Sequence, residues 1–108
     1  MALPTVNRLK DKKDFERVFK KGNAVKGNFL FIKLLENCIP VSRFGFIVPA
    51  KIISSAVARN RIKRIFSEVA RKYIDQGQKN LDILVIFNKK GDEKALTLEL
   101  AELLARNK

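Results

Sequence analysis

The sequence predicts an α+β protein, an α/β two-layer sandwich with the element order α-β-β-α-β-α. Apolar residues recur at helical spacing in three segments, and three other segments have strand patterns. The chain has 108 residues, the size of one domain, so we expect a single domain over residues 1–108. A helix between the second and third strands predicts a β-α-β crossover.

The first helix is expected between Asp11, which can cap its N-terminus, and Gly22, which can end it. Phe15, Val18 and Phe19 are spaced i, i+3 and i+4, so they share one face of this helix. Such a face packs against a neighbouring layer of the fold.

Two strands are expected next. Residues 25–35 alternate with a period of two and predict the first strand, with Phe29, Phe31 and Lys33 on one side and Leu30, Ile32 and Leu34 on the other. Residues 43–48 predict the second strand. The turn at residues 37–40 is short, so we expect these two strands to form an antiparallel pair.

The longest helix is expected at about residues 55–75. Pro49 interrupts the preceding strand, Ser54 or Ser55 offers an N-cap, and Gly77 can end the helix.

The last two elements are a strand at residues 81–87, rich in β-branched residues, and a helix from Glu93 to about Arg106. Acidic and basic residues are nearly balanced in this helix, so we expect it to pack rather than to bind anions. Its apolar stripe consists of Leu96, Leu100, Leu103 and Leu104.

The charge balance indicates an anionic partner. Lys and Arg number 23 against 11 Asp and Glu, a net charge of +12, and such an excess is typical of proteins that bind nucleic acid or acidic membranes. The longest apolar runs, such as residues 83–87, are too short to span a membrane. The N-terminus lacks the apolar core of a signal peptide, so we expect a cytoplasmic protein that binds no membrane.

The residue types exclude several kinds of catalytic site. The chain has no histidine, so neither a Ser-His-Asp nor a Cys-His arrangement can form. Cys38 is the only cysteine, so no intrachain disulfide is possible. Mg²⁺ chemistry on carboxylates stays open, but the acidic residues are scattered, and we assign neither a catalytic residue nor a metal ligand.

The longest helix separates into two faces when its residues are placed at steps of about 100°. One arc is apolar, and the other carries Asn60, Lys63, Arg64, Ser67 and Arg71, with Arg59 and Arg61 on its shoulders. Most charged helix faces are simply solvated. Here the charges have nearly one sign, and like charges four residues apart destabilise a helix. We therefore expect phosphates of a structured RNA to neutralise this face.

Three blocks carry a family resemblance. They are Asn7-Arg8-Leu9 followed by residues 14–22, Gly45-Phe46-Ile47-Val48-Pro49-Ala50-Lys51, and Ala56-Val57-Ala58-Arg59-Asn60-Arg61-Ile62-Lys63-Arg64. In order and in spacing they resemble the protein component of bacterial ribonuclease P. The resemblance covers residues 7 to about 87 and extends loosely to the last helix.

The resemblance implies a left-handed β-α-β crossover. It implies a protein that joins a catalytic RNA, is monomeric within the ribonucleoprotein, and helps that RNA to cut the 5′ leader from precursor tRNA. Catalysis would belong to the RNA subunit with Mg²⁺ in the holoenzyme. The RNA-binding residues expected on this basis are Arg8, Lys51, Arg59, Asn60, Arg61, Lys63, Arg64 and Arg71.

The resemblance also implies a cleft that holds the single-stranded leader. The residues expected to line it are Phe15, Phe19, Lys12, Leu30 and Ile32, because single strands bind to aromatic faces and cations. Two positions depart from the family pattern. The family often has an aromatic residue where this chain has Ile32, and its lysine pair is reduced to Ala50-Lys51.

Two other functions are compatible with the residues alone. A structural RNA-binding protein of ribosomal type would have the same size, charge and fold class. An autonomous Mg²⁺ nuclease would need convergent carboxylates, which the scattered acidic residues do not predict.

Overall fold

The computed structural model describes residues 3–75 and 80–106, so the predicted helix end at Gly77 lies outside the described residues. The predicted α+β sandwich is confirmed. Its helices are α1 (Lys12–Lys21), α2 (Ala56–Asp75) and α3 (Glu93–Arg106), and its strands are β1 (Asn23–Lys26), β2 (Leu30–Glu36), β3 (Arg43–Ile47) and β4 (Leu81–Phe87).

The segment predicted as one strand at residues 25–35 is wrong in its extent, because it contains a hairpin. β1 and β2 pair antiparallel with Val25 opposite Ile32, and the N–H of Gly27 donates to the carbonyl of Leu30 at 2.9 Å. Period-two alternation does not reveal a chain reversal, since residues on both arms of a hairpin keep alternating between the two faces.

The sheet order is β1-β2-β4-β3, with β2 antiparallel and β3 parallel to β4. The predicted crossover is confirmed, because α2 connects the parallel neighbours β3 and β4. The expected antiparallel pair of β2 and β3 is wrong, since β4 lies between them. β4 is apolar along almost its whole length and is buried from Asp82 to Phe87, as a central strand must be when both faces of the sheet are covered.

Helices cover both faces of the sheet, so the structure has three layers where two were predicted. On one face, α2 and α3 pack against alternate residues of the strands, including Ile32, Phe44 and Val85. On the other face, α1 packs through Val18 against Leu84 and Ile86.

The helix starts match the capping residues only in part. Ser55 Oγ accepts the N–H of Ala58 at 3.2 Å, and an Asp92 oxygen accepts the N–H of Ala95 at 2.8 Å. Asp11 occupies the N-cap position of α1, but its side chain makes no capping hydrogen bond. Its backbone carbonyl accepts the N–H of Asp14 instead, at 3.0 Å.

Candidate nucleic-acid interface

One face of α2 is an exposed row of basic and amide side chains, which we call the basic face. It consists of Asn60, Lys63, Arg64 and Arg71. On the opposite side of the helix, Phe66, Val69, Ala70 and Tyr73 are buried against the sheet and α3. The predicted division of this helix into two arcs therefore holds for these residues.

Ser67 is an exception, because it was predicted to face solvent. Its side chain is buried, and its Oγ donates to the carbonyl of Lys63 at 2.8 Å. This bond within the helix satisfies the hydroxyl, so Ser67 can lie inward although its angle places it next to the charged arc.

The cations of the basic face have no acidic partners. Among residues 3–75 and 80–106, none of Lys63, Arg64 and Arg71 forms an ion pair. Lys63 and Arg64 are adjacent, and Arg71 lies about two turns further along the helix, so this exposed face of α2 carries positive charge that no ion pair within the described residues neutralises.

The two shoulder arginines, Arg59 and Arg61, differ from these residues because each contacts another part of the protein. Nη1 of Arg59 donates to the carbonyls of Ile53 and Ser54 at 3.0 and 2.9 Å, so this guanidinium braces the loop before α2. Nη2 of Arg61 lies 3.7 Å from Glu93 Oε1, with both side chains largely exposed. That surface pair contributes little, and it leaves Arg61 available to an anion.

The brace predicts that Arg59→Ala lowers the stability of the protein without RNA, by about 1 kcal/mol for two charge-assisted hydrogen bonds at a partly exposed site. For a chain of this size, the melting temperature should fall by about 5 °C. Arg64→Ala is the matched control, because it removes an exposed arginine of the same helix whose side chain makes no hydrogen bond or ion pair within the described residues. Equal melting temperatures for the two variants would contradict the brace.

On the face of the sheet that α1 covers, residues that are paired across β2, β4 and β3 form three rows, each running perpendicular to the strands. The first row is Phe31, Ile86 and Ile47, the second is Lys33, Leu84 and Gly45, and the third is Leu35, Asp82 and Arg43. α1 contacts the second and third rows through its own side chains, as its contacts with Gly45, Lys33 and Asp82 indicate. Phe31 and Ile47 in the first row are only half-buried.

The aromatic flank of α1 borders this first row. A Cβ added to Gly45 would lie 2.7 Å from Cζ of Phe15, so only glycine lets this ring approach the sheet so closely. Phe19 is 50% exposed, and Nζ of Lys33 lies 4.3 Å from its ring centroid. Lys12 is exposed at the start of α1. Phe15, Phe19, Phe31 and Ile47 thus form an open apolar strip, which we call the cleft, with Lys33 in its floor.

The expectation that Leu30 and Ile32 line this cleft is wrong. Their side chains are 1% and 0% exposed and belong to the core under α2 and α3. The strand residues on the α1 side are Phe31 and Lys33, because a shift of one residue along a strand exchanges the two faces. The apparent lack of an aromatic residue at Ile32 is therefore immaterial, since Phe31 supplies one.

A groove of about 260 Å³ connects the cleft with the basic face. It runs around the edge strand β3, where the N-terminal segment pairs with Phe44 through Leu9 N–H at 2.9 Å. Its lining residues come from both surfaces and include Phe15, Gly45, Phe46, Lys63 and Ser67. Arg8 lines the same groove, with its Nε held by the carbonyl of Leu3 at 2.8 Å. Lys51 is exposed in the turn that follows β3.

A buried carboxylate lies under α1. Asp82 is fully buried and accepts hydrogen bonds from Arg17 at 2.6 Å, from Arg43 at 2.7 and 2.9 Å, and from Asn37 at 2.8 Å. Burial alone would raise the pKa of Asp82. The hydrogen bonds from Arg43 and Asn37, with the charges of Arg43 and Arg17, outweigh burial and hold that pKa below its ordinary value of 3.8.

The described residues contain no group of three or more His, Cys, Asp or Glu side chains that could hold a metal ion. None of the described helices is long and apolar enough to cross a membrane. Cys38 is a free, exposed thiol.

Two features of this surface were missed in the sequence, and a third, the pairing of Asp82, could be predicted without its partners. The sequence placed Phe31 and Lys33 on the same face of the strand, but it did not show that this face packs against α1. Gly45 was noted only within a motif, and nothing local shows that a phenyl ring lies against it. Asp82 carried a signal, since a lone acidic residue on an apolar strand implies a buried partner.

Comparisons with known proteins agree on one family. A family model described as Ribonuclease P matches residues 3–108. The ribonuclease P protein component of Fusobacterium nucleatum is 36% identical over 98 residues, which cover 91% of this chain and 87% of that protein. The corresponding protein of a Pseudanabaena species is 33% identical over 110 residues, covering 98% of this chain and 95% of that protein.

Solved structures give the same result. The structure of the Staphylococcus aureus RNase P protein superposes with a TM-score of 0.85 at 28% identity, covering 94% of this chain and 95% of that one. The RNase P protein from Thermotoga maritima superposes with a TM-score of 0.79 at 30% identity, covering 92% of this chain and 96% of that one.

Proposed function

Since this chain belongs to the ribonuclease P protein family, we propose that its basic face binds the catalytic RNA and its cleft binds the single-stranded 5′ leader of precursor tRNA. The chain is the protein subunit of an endoribonuclease that removes this leader. Its own contribution is to bind and position RNA, as its lack of histidine and its net charge suggest.

The observation that carries the proposal for the catalytic RNA is the unpaired set of cations on α2. Lys63, Arg64 and Arg71 are exposed on one helix, and none of them forms an ion pair within the described residues. Arginine forks fit phosphates, and Asn60 beside them has a donor and an acceptor for a base edge or a 2′-hydroxyl. We add Arg61 to this surface because its contact with Glu93 is long and solvated.

The proposal for the leader is supported by the chemistry of the cleft. Single-stranded nucleic acid is bound by aromatic faces under the bases and by cations along the backbone. Phe19 and the half-buried Phe15 and Phe31 can supply such faces. Lys12, Lys33 and Lys51 are our candidates for contacts with the leader phosphates, and Arg8 lies in the groove toward the basic face.

We assign the chemical step to the RNA subunit and its Mg²⁺ ions, which activate water and stabilise the leaving oxygen in phosphodiester hydrolysis. The protein then acts by screening phosphate repulsion and by holding the substrate in place. We further propose that it is monomeric within a cytoplasmic ribonucleoprotein, where its precursor tRNA substrates would be available.

The test is cleavage of precursor tRNA at low Mg²⁺, with catalytic RNA in the presence or absence of this protein. We expect the protein to raise the cleavage rate at low Mg²⁺ and to have a smaller effect at high Mg²⁺, because Mg²⁺ and the protein both neutralise phosphates. No enhancement at any Mg²⁺ concentration would contradict the proposal and favour a structural RNA-binding role. Cleavage by the protein alone would instead indicate an autonomous nuclease.

A further inference from the structure

α1 has two chemically different flanks on either side of its line of contact with the sheet. Val18, which is completely buried, forms that line. One flank is polar and carries Arg17, whose Nη2 lies 2.6 Å from a carboxylate oxygen of Asp82. The other flank is aromatic and carries Phe15 and Phe19, which border the cleft. A helix that packs on one narrow apolar line can roll about it unless one flank is tied down.

On the polar flank, the ion pair of Arg17 with Asp82 is the shortest contact between α1 and the sheet. Of the three side chains that donate to Asp82, only Arg17 belongs to α1, since Asn37 and Arg43 belong to the sheet and its connecting turn. A second contact on this flank is weaker, because Asp14 lies 3.5 Å from Arg43. On the aromatic flank, Nζ of Lys33 donates to the carbonyl of Phe19 at 2.5 Å.

Arg17 is not needed to neutralise the carboxylate. Arg43 already binds both oxygens of Asp82, at 2.9 and 2.7 Å, in the two-pronged geometry that suits a carboxylate. The Arg17 side chain is 41% exposed, so water can solvate part of it. Because Arg43 already neutralises Asp82, the effect that we assign to the Arg17–Asp82 contact is to hold α1 in place on the sheet.

We propose that Arg17, through its bond to Asp82, is a positioning residue that sets the opening between the aromatic flank of α1 and the first row of the sheet, and so determines how tightly the cleft binds a single-stranded leader. The proposal rests on the proposed function of the cleft. Arg17 itself does not contact the leader in this assignment, because its bond to Asp82 directs it to the third row, away from the cleft.

The experiment uses the holoenzyme, reconstituted from catalytic RNA and protein, and compares its affinity for precursor tRNA with a long leader and with a single-nucleotide leader. Arg17→Met keeps the aliphatic stem but removes the tie. We expect it to weaken binding of the long-leader substrate by about fivefold, the lower end of typical coupling between two sites, and to leave the short-leader substrate unchanged. Equal weakening for both substrates, or none, would overturn the proposal.

Arg106→Met is the matched control for charge. Arg106 is exposed on α3, and within the described part of the chain its one ion pair is a 3.9 Å contact with Glu102, so the variant loses the same charge from a surface remote from α1. We expect it to leave both affinities unchanged. A leader-specific loss equal to that of Arg17→Met would show that net charge, and not position, explains the effect.

A second variant separates positioning from direct phosphate contact. Asp82→Asn removes a negative charge and loosens Arg17, so binding of the long leader would become tighter if Arg17 acted as a cation for leader phosphates. Positioning predicts weaker binding of the long leader instead. Thermal unfolding of each variant shows that folded protein is compared, and tighter leader binding by Asp82→Asn overturns the proposal.

Phe15→Ala distinguishes failure of this proposal from failure of the proposed function. If Arg17 acts through the aromatic flank, Arg17→Met should have little further effect on leader binding in a Phe15→Ala protein. Full additivity of the two substitutions would overturn positioning through Phe15. If Phe15→Ala alone leaves long-leader affinity unchanged, the cleft is not the leader site, and both proposals fall together.

Discussion

Replacing Lys63 and Arg64 together by alanine is expected to weaken binding to the catalytic RNA by on the order of 100-fold. Both side chains are exposed on the basic face and have no ion-pair partner in the described structure, so they lose nothing within the protein. Two charge-assisted contacts to phosphate contribute about 3 kcal/mol together, which corresponds to this factor. The slope of log affinity against log salt should fall by nearly two units.

The matched control for this pair is Lys94→Ala with Arg106→Ala on α3, which removes the same charge from another exposed surface. A general effect of net charge would weaken both double variants equally. Affinity titrations at several salt concentrations separate the two cases. An unchanged salt slope for the Lys63 and Arg64 variant would contradict phosphate contact at the basic face, whatever the change in affinity.

Asp82→Ala is expected to cause the largest loss of stability among the charged positions, about 3 kcal/mol. The substitution removes four hydrogen bonds and leaves Arg43 beneath α1 without its carboxylate, and breaking a buried pair at one partner is costly. The melting temperature should fall by about 15 °C. Glu102→Ala removes the same charge from an exposed site and should have almost no effect; a similar loss there would contradict the explanation.

The same carboxylate predicts how stability depends on pH. Because the folded-state pKa of Asp82 lies below its ordinary value of 3.8, its stabilising contribution is fully present above that ordinary value and is lost as pH falls through the folded pKa. Unfolding free energies measured from neutral to strongly acidic pH should therefore converge for the wild-type protein and Asp82→Ala at the acidic end. Parallel pH profiles would contradict this assignment.

Much of the fold could be predicted because its signals are local. The spacing of Phe15, Val18 and Phe19 and the cap at Ser55 depend on residues within one or two turns. The boundaries of β4 were predicted to the residue, at Leu81–Phe87, and α3 begins at the predicted Glu93 and ends at Arg106, about where it was expected. The hairpin within residues 25–35 was missed, because both of its arms continue the same alternation.

The candidate site could likewise be predicted only in part. The basic face of α2 followed from angular position alone, since a helix that packs on one side exposes the other. The cleft did not follow, because alternation shows that Phe31 and Ile32 lie on opposite faces of β2 but not which face meets α1. That choice depends on the layer order, which local patterns do not contain.

By itself, the sequence determined the kinds of element, the basic face of α2, and the absence of histidine chemistry. Only the tertiary structure decided that β4 lies between β2 and β3, that Phe31 and not Ile32 meets α1, that Arg59 braces a loop, and that Arg17 and Arg43 share Asp82. The reason is physical: periodicity and capping arise within one helix or strand, whereas each of these contacts depends on how separate parts of the chain pack together.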